Sequence, residues 1–230
     1  MRKLNAVLKV AGAEVFREIV PVALTSIISS LVLIPMILMV PIPFVPILIA
    51  LLYMPLLYGV MYVFQQKAEG KPSQVRLLFT GAVKGFFPAF VFGLLIVSLL
   101  FILWSTWWYY GSKGGMFYMS IAVFQTYFVL MALVSQFYTL QLVLQKGMGI
   151  FRAMAESVKL FFRFPGYTIG AFFQMVCFTF PLMLTVVGFI ALFSGILGVY
   201  QYKAVHNVLS REEEAEVDEA GMLLTNGEAR

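Results

Sequence analysis

The sequence predicts an all-α fold: a polytopic α-helical transmembrane bundle of about six spans, with amphipathic surface helices and a parallel internal repeat. Three observations lead there. Of 230 residues, 61% are hydrophobic and only 12% charged, where a soluble domain carries about 25% charged residues. Several apolar runs reach the ~20 residues needed to cross a ~30 Å hydrocarbon layer. Finally, the charge between those runs falls into short segments, one of which echoes another.

The first segment, Met1–Glu18, carries a stripe at Leu4, Val7, Leu8, Ala11 and Val15 with helical period, the pattern of an interfacial helix. Its cations Arg2, Lys3, Lys9 and Arg17 suit phosphate headgroups. No cleavable signal is expected, since the apolar run starts only near Ile19 and no small-residue cleavage site follows. The first span is Val20–Val40, with Thr25, Ser26, Ser29 and Ser30 as small hydroxyls for close helix packing and Pro35 as a kink. Pro41, Pro43 and Pro46 should end it, and a second span follows at Ile47–Phe64.

Gln65–Ser73 is polar. A surface helix then takes Val75, Leu78, Phe79, Ala82 and Phe86 as its apolar face. The third span is Pro88–Trp104, followed by Trp107, Trp108, Tyr109 and Tyr110, an aromatic cluster of the kind found where helix meets headgroup. Gly111–Gly115 is read as a polar loop, and Phe117–Leu140 as the fourth span, helical on to Gln145.

Lys146–Gly170 is the most informative stretch. On a helix, Arg152, Glu156, Lys159 and Arg163 share one face, while Phe151, Met154, Val158, Phe161 and Phe162 line the opposite one. Pro165 then opens a new apolar run. The pattern repeats an earlier one: Val83-Lys84-Gly85-Phe86-Phe87 matches Val158-Lys159-Leu160-Phe161-Phe162 at an offset of 75. Pro88 to Gly93 likewise matches Pro165 to Gly170 at an offset of 77. Gly147-Met148-Gly149 lacks the Lys-Ser/Thr end of a phosphate loop and reads as a turn.

Gly166–Tyr202 runs for 37 residues without a charge. As one helix it would be ~55 Å long, so two spans turning near Pro181 or Gly188 fit better. Ser210 and Glu213 have the spacing of a capping box. The chain thus divides into a transmembrane helical domain, 1–209, and an acidic, disordered cytoplasmic tail, 210–230.

Residues 1–210 carry a net charge of +10 and residues 211–230 a net charge of −5. Alternate polar segments hold fourteen Lys/Arg against Lys113 alone, which by the positive-inside rule places both termini in the cytoplasm. A five-span arrangement would put Lys203 and Arg211 outside. The connectors at 41–46 and 180–188 are so apolar that they either cross fully or form re-entrant hairpins. In both cases the two surface helices share a side, and the repeat axis runs along the membrane normal.

Chemistry-bearing constellations are missing from the predicted spans, which contain no Asp, Glu, Lys, Arg or His. His206 and Cys177 are each the only residue of their kind, so neither a metal cluster nor an intramolecular disulfide can be built from them. No catalytic residue, metal or cofactor is expected, and the protein reads as a non-enzyme. The candidate solute-facing or interhelical polar groups are Gln125, Gln136, Thr139 and Gln174. Gln125 and Gln136 stand 11 residues apart, on one face of a continuous helix. The candidate headgroup-binding cations are Arg76, Lys84, Arg152, Lys159 and Arg163.

Several stretches resemble the YesL-like family of bacterial polytopic membrane proteins. They are Phe79 with Val83 to Phe87; Gln136-Phe137-Tyr138, Ala153, Ser157 and Phe162 to Gly170; and Tyr202 to Leu209. The resemblance implies a bundle of undetermined biochemical function in the inner or plasma membrane, often connected with carbohydrate uptake. It implies no catalytic residues. The resulting expectation is a non-enzymatic accessory or assembly partner of a carbohydrate-related transport system. A small carrier for a neutral solute, or a lipid-binding membrane protein, are the alternatives. Expected partners are membrane lipids and another membrane protein or transporter subunit; the basic balance points to membrane topology rather than nucleic acid.

Overall fold

The structure is a computed structural model that describes residues 4–71, 75–113 and 115–227, with side chains described up to Glu212. Among the described residues every regular element is helical. Six runs are long and apolar enough to cross a membrane: Ile19–Met39, Ile42–Ala68, Phe86–Lys113, Met116–Lys146, Pro165–Leu184 and Val186–Glu212. The protein is an all-α polytopic bundle.

Helix α1 (Leu4–Arg17) lies against the bundle through Val7 and Ala11, and α2 (Ile19–Met39) is the first span. The helical run α3 (Ile42–Ala68) starts earlier than the prolines led us to expect. Pro43 and Pro46 each sit in the first turn of a short helical piece, where a missing N–H costs nothing. A π turn at Ile49–Tyr53 precedes Pro55, which has no N–H to offer the preceding turn.

The aromatic cluster does not end the third span. Helix α5 (Phe86–Lys113) continues through Trp107 to Tyr110, and Gly115 (φ 96°) marks the turn into α6 (Met116–Ser135). Bulky aromatics at an interface are compatible with helix, so the predicted loop shrinks to its glycine end.

The fourth span is not continuous. It breaks at Gln136–Tyr138 and resumes as α7 (Thr139–Lys146), which ends on the left-handed Gly147 (φ 63°). The long charge-free stretch divides at Thr185 into α9 (Pro165–Leu184) and α10 (Val186–Gly227). The Ser210–Glu213 capping box does not form. Ser210 lies inside α10 and donates back to the His206 carbonyl at 2.9 Å, as hydroxyls within a helix do.

Helices α2, α3 and α10 form the centre. Along α2 and α10 small hydroxyls replace bulk: Ser29 Oγ meets Ser194 Oγ at 2.7 Å, and the Gly195 N–H donates to Ser26 Oγ at 2.9 Å. This is small-residue packing of the kind that lets membrane helices approach closely. Helices α5 and α6 pair as a hairpin, joined to the centre where Gly93 meets Ala50 of α3.

The two surface helices, α4 (Val75–Lys84) and α8 (Ile150–Arg163), each pack against the span before them. Leu78 and Ala82 of α4 and Gly85 just after it are buried, and so are their matches at the offset of 75, Ala153, Ser157 and Leu160 of α8. The repeat read in the residues is matched in burial at these three pairs, but not at its edges, where Val75 and Phe86 are exposed and their matches Ile150 and Phe161 are buried.

The face assigned to α8 needs correcting, because the helix has three sectors rather than two. Ile150, Ala153, Ser157, Leu160 and Phe161 face protein; Phe151 (70% exposed), Val158 and Phe162 (71%) face outward; Arg152, Glu156, Lys159 and Arg163 form the polar sector. In α4, Leu78, Gly81 and Ala82 face protein, with Gly85 just beyond its end; Val75, Phe79 and Val83 face outward, and Arg76, Thr80 and Lys84 are polar. In both helices the order, moving with the chain, is protein, apolar exterior, polar exterior, each roughly a third of a turn apart. A helix at a boundary between protein, lipid and water has this division of its circumference. The same winding sense in both copies is what a rotation relating them requires.

Candidate functional site: the polar node at the helix break

The break at Gln136–Tyr138 gathers the buried polar groups of the second repeat. Tight turns replace the helical ladder here: Gln136 N–H donates to Leu133 O (3.2 Å), Phe137 N–H to Val134 O (3.1 Å) and Thr139 N–H to Gln136 O (3.2 Å). That arrangement strands the Ser135 carbonyl and the Tyr138 N–H. Ser157, reaching in from α8, donates to Ser135 O at 2.6 Å and accepts from Tyr138 N at 3.2 Å. One hydroxyl thus serves both stranded groups. Buried backbone groups must find partners, so α8 and the break hold each other in place.

The first repeat uses a different device at the corresponding contact. Gly59 has no side chain, and the Leu78 carbonyl of α4 occupies the space a Cβ would take. Glycine lets the backbones touch in one copy; a broken helix and a serine do so in the other.

From the break the network runs outward. Thr168 donates to Phe164 O at 2.9 Å, which leaves its oxygen to accept from the Tyr138 hydroxyl at 2.7 Å. Tyr167 donates to Ala204 O (3.3 Å) and accepts from Asn207 Nδ2 (3.1 Å), joining α9 to α10. Tyr200 OH lies 3.1 Å from both Ala171 O and Gln174 Oε1, and Gln174 Nε2 donates to Asn5 Oδ1 at 3.0 Å. Hydroxyl and amide groups arranged this way hold helices in register. Among the described residues no three His, Cys, Asp or Glu side chains come together.

The four nominated polar residues separate. Gln136 and Thr139 are buried in the node and bonded to each other, Thr139 Oγ1 to Gln136 Oε1 at 2.8 Å. Gln174 is interhelical. Gln125 is half-exposed and lines a groove of about 380 Å³ on the α5–α6 hairpin with Ser105, Tyr109 and Tyr110. Gln125 and Gln136 do not lie on the one continuous helix expected of them, because α6 ends at Ser135 and Gln136 opens the turn.

Ion pairs cluster at one end of the bundle. Glu14 pairs with Lys203 (2.7 Å), Glu18 with Lys67 and Arg17 (3.7 Å to the latter), and Glu69 with Lys71 (3.4 Å). The hydrogen bond from Lys67, opposed by some desolvation and aided by the charge of Lys67 and Arg17, holds the Glu18 carboxyl below its ordinary value. Glu212, almost fully buried, takes both Lys146 (3.2 Å) and Arg163 (3.5 Å), which ties the last residues of α7 and α8 to α10.

The five nominated headgroup-binding cations also divide. Lys159 pairs with Glu156 at 3.1 Å and Arg163 with Glu212. Arg76, Lys84 and Arg152 have no carboxylate partner among the described residues; Lys84 stands 5.7 Å from the Tyr62 ring centre. Arg2 and Lys3 lie outside the described residues.

Ser157, Tyr138 and Tyr200 were not nominated from the residues themselves. A signal for Ser157 existed: it is a polar residue inside the protein-facing stripe of an amphipathic helix. Compared with models of protein families, with curated proteins and with solved structures, the chain matches none.

Proposed function

We propose that this integral membrane protein is a non-enzymatic accessory or assembly partner of a transport system, carbohydrate-related by its resemblance to the YesL-like family. On this reading it resides in a bacterial inner or plasma membrane with both termini in the cytoplasm. The observation that carries the proposal is the use made of Gln136, Thr139 and Gln174. Thr139 Oγ1, Gln136 Oε1 and both amide atoms of Gln174 are engaged in internal hydrogen bonds, as in a scaffold, rather than offered to a passing solute.

The α5–α6 hairpin supplies the contact surface. Trp104, Trp108, Phe117, Phe124 and Phe128 are all more than half exposed on it, a wide aromatic face suited to another membrane helix as well as to lipid. A photocrosslinker placed at Trp108 in native membranes should capture a discrete transporter subunit, and Phe124→Ala should weaken the adduct.

The carrier reading draws on one observation, the groove at Gln125. Purified protein in liposomes, tested against a sugar panel, separates the two. Flux abolished by Gln125→Leu would replace the accessory role with a carrier; absence of flux leaves the accessory role standing.

A further inference from the structure

We propose that the cleft between the start of α5 and the turn leading into α8 binds one anionic phospholipid, with its acyl chain in the cleft and its phosphate on Arg152. This goes beyond an accessory role, since it names a small-molecule site that such a role does not require.

The cleft measures about 310 Å³, near the lower end of the ~300–1,000 Å³ of small-molecule sites. Its walls are Phe87, Val143, Met148, Ile150 and Phe151, and its only charged lining residue is Arg152. Phe87 (64% exposed) and Phe151 (70%) flank the opening. Phe151 belongs to the apolar exterior sector of α8, so the mouth opens toward lipid. An occupant that enters from the bilayer and carries a hydrocarbon chain is what these walls accept.

The charge selects the headgroup. Arg152 has no carboxylate partner among the described residues, unlike Lys146, Lys159 and Arg163. The carboxylate one turn along the same face, Glu156, is taken by Lys159 at 3.1 Å and is not free for the ammonium of a zwitterionic lipid. A guanidinium with no carboxylate partner among the described residues, lining an apolar cleft, favours a phosphate with net negative charge.

The test uses the full chain in vesicles of equal phosphatidylcholine and phosphatidylglycerol, with retained lipid read by native mass spectrometry. One phosphatidylglycerol should stay bound. Arg152→Gln should lower its retention about tenfold, the loss of one charge-assisted hydrogen bond. Met148→Trp, which fills the cleft, should do the same with Arg152 intact. Phe151→Asp, a change at an exposed position, serves if the tryptophan variant does not fold, because it sets a carboxylate at the mouth. Lys159→Gln should leave retention unchanged. Equal retention of both lipids would overturn the proposal. So would loss with Arg152→Gln alone while the cleft variants bind normally, which means surface attraction only, or displacement by soluble glycerol phosphate, which means a soluble anion.

Discussion

The Ser157 hydroxyl donates to the Ser135 carbonyl at 2.6 Å across 22 residues of chain, and it accepts from the Tyr138 N–H at 3.2 Å. It completes a helix that its own backbone leaves open. Ser157→Ala should therefore destabilise the protein by about 2–4 kcal/mol, because two buried backbone groups lose their partner together. Ser120 also donates to a carbonyl, that of Met116 at 2.9 Å, but on an exposed helix face. Ser120→Ala should change stability by less than about 0.5 kcal/mol. Unfolding free energies by steric trapping in bicelles check the contrast, and equal effects would refute the role given to Ser157.

Two glycines predict opposite outcomes for the same substitution. A Cβ at Gly195 would come within 2.7 Å of the Val22 carbonyl oxygen, while a Cβ at Gly12 meets nothing within 4 Å. Gly195→Ala should force α2 and α10 apart and cost about 1–3 kcal/mol. Gly12→Ala should be neutral or stabilise α1 by up to ~1 kcal/mol. Melting temperatures in detergent measured side by side decide the matter.

The pairing of Glu18 with Lys67 makes stability depend on pH. The carboxyl is held below its ordinary value of 4.5 in the folded protein. Its contribution is therefore fully present above that ordinary value and is lost as pH falls through the lower, folded value. Stability of the native protein should exceed that of Glu18→Gln at neutral pH, and the gap should close on acidification below about 4.5. Melting curves across that range show it; a constant gap would mean that the pairing contributes nothing through ionisation.

Sidedness is open to direct chemical labelling. In a Cys177→Ser background, Arg76→Cys and Arg152→Cys should react with an impermeant maleimide from one side of the membrane, and Lys113→Cys from the other. Labelling of the first two from opposite sides would break the parallel repeat.

Much of this architecture was legible in the residues. Spans, surface helices and the repeat follow from side-chain hydrophobicity and period, which act locally and leave a linear record. The offset of 75 between Val83 and Val158 could be written down without coordinates, and the buried positions Leu78, Ala82 and Gly85 then recur as Ala153, Ser157 and Leu160. Boundaries were less legible where a residue's effect depends on its position in a turn. Pro43 and Pro46 open helical pieces instead of closing one. Ser210 sits inside a helix instead of capping it.

By itself, then, the sequence determined that the chain is a helical membrane bundle and that two short amphipathic helices, with echoing residues, each lead into an apolar span. Long uncharged runs have no stable alternative in water, and polar residues at helical spacing can face only one way. Only the tertiary structure decided how the polar groups inside the spans are used. The gap at Gln136–Tyr138, the serine that fills it and the separation of Gln125 from Gln136 depend on which backbone groups a neighbouring helix can reach. Hydrogen bonding is directional and works over about 3 Å, so it is settled by the close approach of segments far apart in the chain.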